Sequence, residues 1–174
     1  ELYFSDIYSD RRVSSKLQED PVLYGECLSG ALYTEDFRRL LHRNHIHDYR
    51  QVKSSPVPLI DSEIKSKLDH IRFTSITYRI FNLELEDKCE DYGQVVKYRG
   101  GIPFHEKMFH LDDHHTFEIG KWEPVCGNTF DMLSKSRFSI YFEFMGDNET
   151  HYGIYGGCDT SHSKTTTSSQ DSCC

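Results

Sequence analysis

The run from Arg72 to Leu83 constrains the fold most, because Ile, Thr, Tyr and Phe fill it without a Gly or Pro. It reads as a long strand, and a strand needs partners in a sheet. Glu1 to Tyr8 supplies a second such segment: a short buried strand ending in Ser-Asp, as at the carboxyl edge of an α/β sheet. Tyr49 to Lys53 reads as a third, with Pro56 and Pro58 beyond it marking a loop or a sheet edge.

Helical signals fill the space between these strands. Asp20-Pro21 combines an N-cap with Pro at the first helical position, opening a helix over Val22 to Leu28 that stops near Gly30. Leu23 and Cys27, four apart, would share one face of it. Gly25 in its middle costs about 1 kcal/mol against Ala, for which close backbone approach is a reason. A second helix has Thr34 as N-cap, Glu35 and Asp36 in its first turn, and a buried stripe of Phe37, Leu40 and Leu41. Asp61 caps a short third helix carrying Ile64 and Leu68 on one side.

From Glu84 the texture changes to short strands separated by turns: Val95 to Arg99, Lys107 to Leu111 and Thr116 to Ile119, then a brief helix over Asn128 to Lys135. Phe138, Ile140, Phe142 and Phe144 alternate with polar residues and Tyr141, giving a half-buried strand. Gly146-Asp147-Asn148 turns it into a hairpin with His151 to Tyr155. After Gly157 Ser, Thr, His and Lys dominate up to Cys173-Cys174, a tail expected to be disordered and dispensable.

Charge and cysteine use narrow the function classes. With a net charge of −8, the chain gains nothing from neutralising phosphates, so nucleic-acid binding is not expected. The basic run Arg38, Arg39, His42 and Arg43 reads as a solvated helix face. No apolar run approaches the roughly 20 residues of a membrane span. The cysteines Cys27, Cys89, Cys126, Cys158, Cys173 and Cys174 form no CxxC pair and no zinc spacing, which suits reduced thiols in the cytoplasm. His110, Asp112, Asp113, His114 and His115 read as a polar turn rather than a metal site, since neighbours on a strand point to opposite faces.

Several blocks, in order, resemble arsenite S-adenosylmethionine methyltransferases. Leu23-Tyr24-Gly25-Glu26-Cys27-Leu28-Ser29-Gly30-Ala31-Leu32-Tyr33 is similar to the segment around one of that family's arsenic-binding cysteines. Leu2 to Tyr8 resembles the fifth strand of its methyltransferase sheet, and Arg72 to Phe81 the strand that closes its central region. Cys89 to Gln94, Leu111 to His115 and Val125 to Thr129 resemble blocks of its C-terminal domain.

The resemblance implies the end of a class I, Rossmann-like methyltransferase sheet at 1–13, an arsenic-binding region at 14–83, a mixed α+β domain at 84–157 and a Cys-containing tail at 158–174. It implies that Cys27 is both catalytic and an arsenic ligand, because soft thiolates suit a soft, thiophilic centre. The substrate would be As(III) or its thiol conjugates. Its lone pair would take the methyl group of S-adenosylmethionine, with glutathione or thioredoxin as thiol reductant and a redox protein as partner. Cys89 and Cys126 are left as structural.

The nucleoside site is not expected in this chain. Gly100-Gly101 and Gly156-Gly157 lack the strand-loop-helix context that such a site needs. The opening on Glu1, already inside a strand pattern, points to a longer parent. An isolated chain is then expected to be poorly stable or to aggregate through an unpaired strand. The alternative function is a non-catalytic, thiol-based metalloid-binding or regulatory module derived from the same family.

Overall fold

In a computed structural model, which describes residues 1–68 and 70–156, the run around Tyr78 becomes one of the two inner strands of a four-stranded sheet, the largest among the described residues. The elements are β1 (Leu2–Ser9), α1 (Ser15–Gln18), α2 (Pro21–Gly25), β2 (Leu32–Tyr33), α3 (Thr34–Arg43), β3 (Tyr49–Val57), α4 (Ser62–Leu68) and β4 (Phe73–Ile80), followed by a second set. That set is β5 (Glu90–Asp91), β6 (Val95–Tyr98), β7 (Met108–His110), β8 (Thr116–Glu118), β9 (Trp122–Pro124), α5 (Gly127–Ser134), β10 (Phe142–Met145) and β11 (Gly153–Ile154). The tail expected at 158–174, with Cys158, Cys173 and Cys174, lies outside the described residues.

The first sheet has the order β2-β1-β4-β3. β4 pairs antiparallel with β1 over the whole of β1, and antiparallel with β3 on its other side. β3 is an edge strand, so Pro56 sits inside it without breaking a ladder on its outer side. Alternation along β4 sends Phe73 to one face and Ile76, Tyr78 and Ile80 to the other. Leu23, Leu28, Ile64 and Leu68 of the α2 and α4 region cover the first face. Phe37 and Leu41 of α3 cover the second, where Phe37, Tyr8, Tyr49 and Tyr78 pack as aromatic pairs. Helices on both faces of a sheet make this half α/β in character.

β1 departs from expectation. It is not a uniformly buried strand: Leu2 and Tyr3 are more than half exposed, and only Tyr8 and Ser9 are fully covered. The reason is its outer edge, which pairs with β2 at Tyr8–Leu32 and Ser9–Tyr33 only, among the described residues.

The second half builds a core of Val96, Tyr98, Phe109, Leu111, Phe117, Met132, Leu133 and Phe142 between the β10-β6-β9 sheet, the β7–β8 hairpin and α5. Two local expectations fail here. The alternation from Phe138 to Phe144 does not make one strand, because Ser139–Tyr141 forms a 3-10 turn that leaves Ile140 exposed. The turn at Gly146 does not make a hairpin: β10 pairs with β6, while β11 pairs with β5. No helix among the described residues is long and apolar enough to cross a membrane.

In α3, Thr34 is the first helical residue and Tyr33 the cap, without a side-chain hydrogen bond. Leu40 is half exposed rather than part of the stripe, since Phe37 and Leu41, four apart, already fill the contact. Its basic run is solvated and paired, Arg38 to Glu35 and Arg39 to Asp36.

Candidate functional site

Cys27 owes its position to the way α2 ends. Asp20 starts the helix by accepting from the Val22 and Leu23 amides, and its second carboxylate oxygen holds Lys67 of α4 at 2.8 Å. The helix lasts only to Gly25. Its last carbonyls are then closed by two reversed hydrogen bonds, Cys27 N–H to the Tyr24 carbonyl and Leu28 N–H to the Leu23 carbonyl. This is a Schellman motif, with buried Leu23 and Leu28 making its hydrophobic contact.

The motif places Cys27 at the residue that must turn left-handed, with φ of 60°. Glycine is the usual occupant there, and an L-residue pays about 1 kcal/mol or more for the conformation. Three expectations are corrected together. The helix does not reach Leu28, Cys27 does not share a buried face with Leu23, and the cap is not at Gly30. Leu23 is fully buried whereas Cys27 is exposed, one residue past the helix cap. Close approach does not explain Gly25 either, since a Cβ there would meet nothing within 4 Å.

Close to Cys27 in sequence, Val22, Tyr24 and Leu32 are exposed as well. Among the described residues no group of three or more His, Cys, Asp or Glu side chains is gathered to hold a metal ion. The other two described thiols lie in the second half and are buried. Cys89 lines a cleft of about 220 Å³ with His42, His47 and Tyr49, and Cys126 caps α5 by accepting from the Thr129 amide. Burial pushes the Tyr49 phenol up to about 12, so it stays a neutral hydrogen-bonding group in that wall.

The polar segment 110–115 is the tip of the β7–β8 hairpin, and it is one place where the two halves of the chain are joined. Asp112 Oδ1 accepts from the amides of His114 and His115, and His115 Nδ1 lies 2.8 Å from the same oxygen. Arg50 of β3 reaches Asp112, Asp48 and Thr129 from inside the first half. Arg79 of β4 donates to the Leu111 carbonyl at 2.7 Å, its guanidinium lying over Phe109 and Phe138. Asp113 N–H donates to the Gln51 carbonyl, and Gln51 Nε2 returns a bond to Asp113.

Burial alone would push the Asp112 carboxyl up. The hydrogen bond and charge of His115, the charge of Arg50 and the His114 amide outweigh it and hold that carboxyl well below the usual carboxylate range. Burial opposes the charge on Arg50 too, but Asp48 and Asp112 together hold its pKa above the usual value. This clamp was not anticipated from the sequence. Its signal was a lone Arg in each of two strand patterns, Tyr49-Arg50-Gln51 and Tyr78-Arg79-Ile80, because a charge buried in a strand must be paired.

Neither Gly100-Gly101 nor Gly127 forms a nucleoside cradle. Gly100 and Gly101 are left-handed and lie between β6 and β7 with no helix following, and a Cβ on Gly100 would sit 2.7 Å from the Ile119 side chain. In the second half α5 follows β9 closely, but the Tyr92 ring covers Gly127 at its start.

Comparison with known proteins bears on both halves. Residues 90–174 match the family described as "Arsenite methyltransferase C-terminal domain". The chain is 52% identical over 159 residues to an arsenite methyltransferase of Aquipseudomonas alcaligenes, covering 91% of this chain and 46% of that protein. It is 37% identical over 145 residues to the arsenite methyltransferase of Rattus norvegicus, covering 83% of this chain and 38% of that protein. The chain thus spans less than half the length of these curated relatives. Among solved structures it is similar to an arsenic (III) S-adenosylmethionine methyltransferase from Chlamydomonas reinhardtii, with a TM-score of 0.81 and 43% identity over 88% of this chain and 52% of that one.

Proposed function

The chain belongs to the arsenite methyltransferase family, whose C-terminal part it matches, and on that basis we propose that Cys27 is one thiolate of an As(III) site. The observation that carries this reading is the backbone at Cys27. A strained left-handed position that glycine fills without cost is held by a cysteine, and its side chain is presented to solvent. Strain of this kind is kept where a side chain has work to do.

The chemistry is ligand exchange. As(III) arrives as a thiol conjugate; a Cys27 S–As bond forms, one As–S bond to the carrier breaks, and the thiol proton leaves on the departing carrier thiol. One thiol binds weakly, so further thiols must converge on the same arsenic atom at high effective concentration. On this reading they come from the preceding half of the parent protein, which also holds S-adenosylmethionine and pairs with the open edge of β1 as part of a Rossmann-like sheet. Residues 14–83 then serve as the arsenic-binding region, and this chain acts in methylation only together with that half. Methyl transfer to the arsenic lone pair raises arsenic to As(V); two thiols that return it to As(III) become a disulfide, which a thiol reductant then reduces.

Cys27→Ser in the complete protein tests the proposal. Arsenite methylation is expected to fall about 100-fold or more while S-adenosylmethionine binding persists; wild-type turnover would refute the role of Cys27. A second reading, metalloid capture without catalysis, draws on the same exposed Cys27 thiol. Tight one-to-one binding of arsenite by this chain alone would support it.

A further inference from the structure

A centre held by several thiols tolerates little misplacement of any one of them, so whatever fixes Cys27 bears on the reaction. α2 is too short to fix it alone. A helix of five residues is marginal by itself, and Leu23 is the buried side chain within it. Leu23 and Leu28 share a core with Ile64 and Leu68 of α4. Apolar contact of that kind is non-directional and does not set the roll of α2 against α4.

A directional link runs beside it. Lys67 of α4 donates from Nζ to Asp20 Oδ2 at 2.8 Å, and Glu63 lies 3.0 Å from the same ammonium. Asp20 Oδ1 accepts from the amides of Val22 and Leu23 at 2.9 and 3.2 Å. One carboxylate thus ties the α4 ammonium to the α2 backbone. Leu23 carries the tie onward. Its carbonyl accepts from the Leu28 and Ser29 amides at 3.0 and 3.2 Å, closing the reversal that turns Cys27 outward. The Lys67 and Asp20 side chains are 30% and 19% exposed, so the charge-assisted bond between them is partly shielded from water.

We propose that Lys67 is a positioning residue for Cys27, acting through Asp20 and Leu23 to hold the thiol where As(III) meets its other ligands. The proposal rests on the reading of Cys27 as an arsenic ligand. In this role Lys67 contacts neither arsenic nor the methyl donor. Ion pairs this exposed add little to stability. The effect of Lys67 therefore falls on where the thiol sits and not on whether the chain folds.

The test is made on the complete parent protein, with arsenite and S-adenosylmethionine as probes. Lys67→Met keeps the aliphatic stem and drops the charge. Asp20→Asn keeps an N-cap while removing the counter-charge, and it keeps the test available should the Met variant fold poorly. Each is expected to raise KM for arsenite about tenfold and leave KM for S-adenosylmethionine unchanged. Tm is expected to fall by no more than about 3 °C. The double variant is expected to match either single one, because both break the same link. Lys67→Arg, which can still bridge to Asp20, is expected to restore the arsenite KM. An unchanged arsenite KM in Lys67→Met, or additive losses in the double variant, overturns the role of Lys67. Parallel rises in both KM values with a Tm loss above about 10 °C overturn it in favour of plain structural support. Cys27→Ser is the reference. Retained methylation there removes the arsenic ligand and the role of Lys67 with it, whereas lost methylation beside a silent Lys67→Met removes the positioning role alone.

Discussion

Arg50 Nη1 and Asp112 Oδ2 lie 62 positions apart in sequence and meet at 3.2 Å, both side chains almost wholly shielded from water. Their partnership joins the edge strand of the first sheet to the β7–β8 hairpin of the second half. Pairs of this kind matter less for the energy they add than for the unpaired charge left behind when one member is removed.

Asp112→Asn leaves Arg50 buried with only Asp48 as counter-charge and removes the carboxylate that organises the 112–115 turn. A loss of about 3 kcal/mol is expected, from the usual cost of breaking a buried pair. Urea unfolding of the intact protein measures it. A loss below about 1 kcal/mol would mean that the clamp is dispensable.

The same carboxyl sets an acid limit. Its folded-state pKa is depressed below the unfolded value of about 4. Its contribution is therefore complete above that value and is lost as pH falls toward the folded-state pKa. The stability gap between wild type and Asp112→Asn should be constant from about pH 7 to 5 and should narrow below about 4. A gap that closes already near about pH 6 would place the controlling titration on another group.

Cys27→Gly separates strain from function. Glycine relieves the left-handed backbone, and a gain of about 1 kcal/mol is expected, reduced by the added entropy of the unfolded chain. Arsenite binding should fall in the same variant. Cys27→Ser should lose binding without the gain in stability. Thermal unfolding combined with arsenite titration reads both effects, and equal stability of the Gly and Ser variants would show that the turn is unstrained.

Gly25→Ala should stabilise the protein by about 0.5–1 kcal/mol, because its backbone is not left-handed and a Cβ would meet open space. Unfolding of the intact protein again decides the matter. Destabilisation there would reveal that another part of the parent protein lies against this glycine.

Much of the helical punctuation was legible in the sequence. Asp20-Pro21 opens α2 and Asp61 caps α4, because a cap acts through neighbours two or three residues away. The end of α2 was not legible: left-handed caps favour Gly, so Gly30 drew the assignment away from Cys27. The 138–144 segment misled for a related reason. Phe138 and Phe142 are both buried because a 3-10 turn and then a strand carry them inward, while the alternation is the same for one unbroken strand. The clamp at Arg50 needed tertiary contacts, since nothing local pairs position 50 with position 112. The exposure of Cys27 likewise comes from chain reversal rather than from periodicity.

The β7–β8 tip, gripped by Arg50 and Arg79, also changes what the segment between β4 and β5 has to do. Asn128 adds to the grip by bonding Asp48 on one side and the Glu86 backbone on the other. These contacts fasten the halves through side chains as well as through the peptide. A protease nick beside the exposed Lys88 should leave two pieces that migrate as one body under native conditions and part only in denaturant.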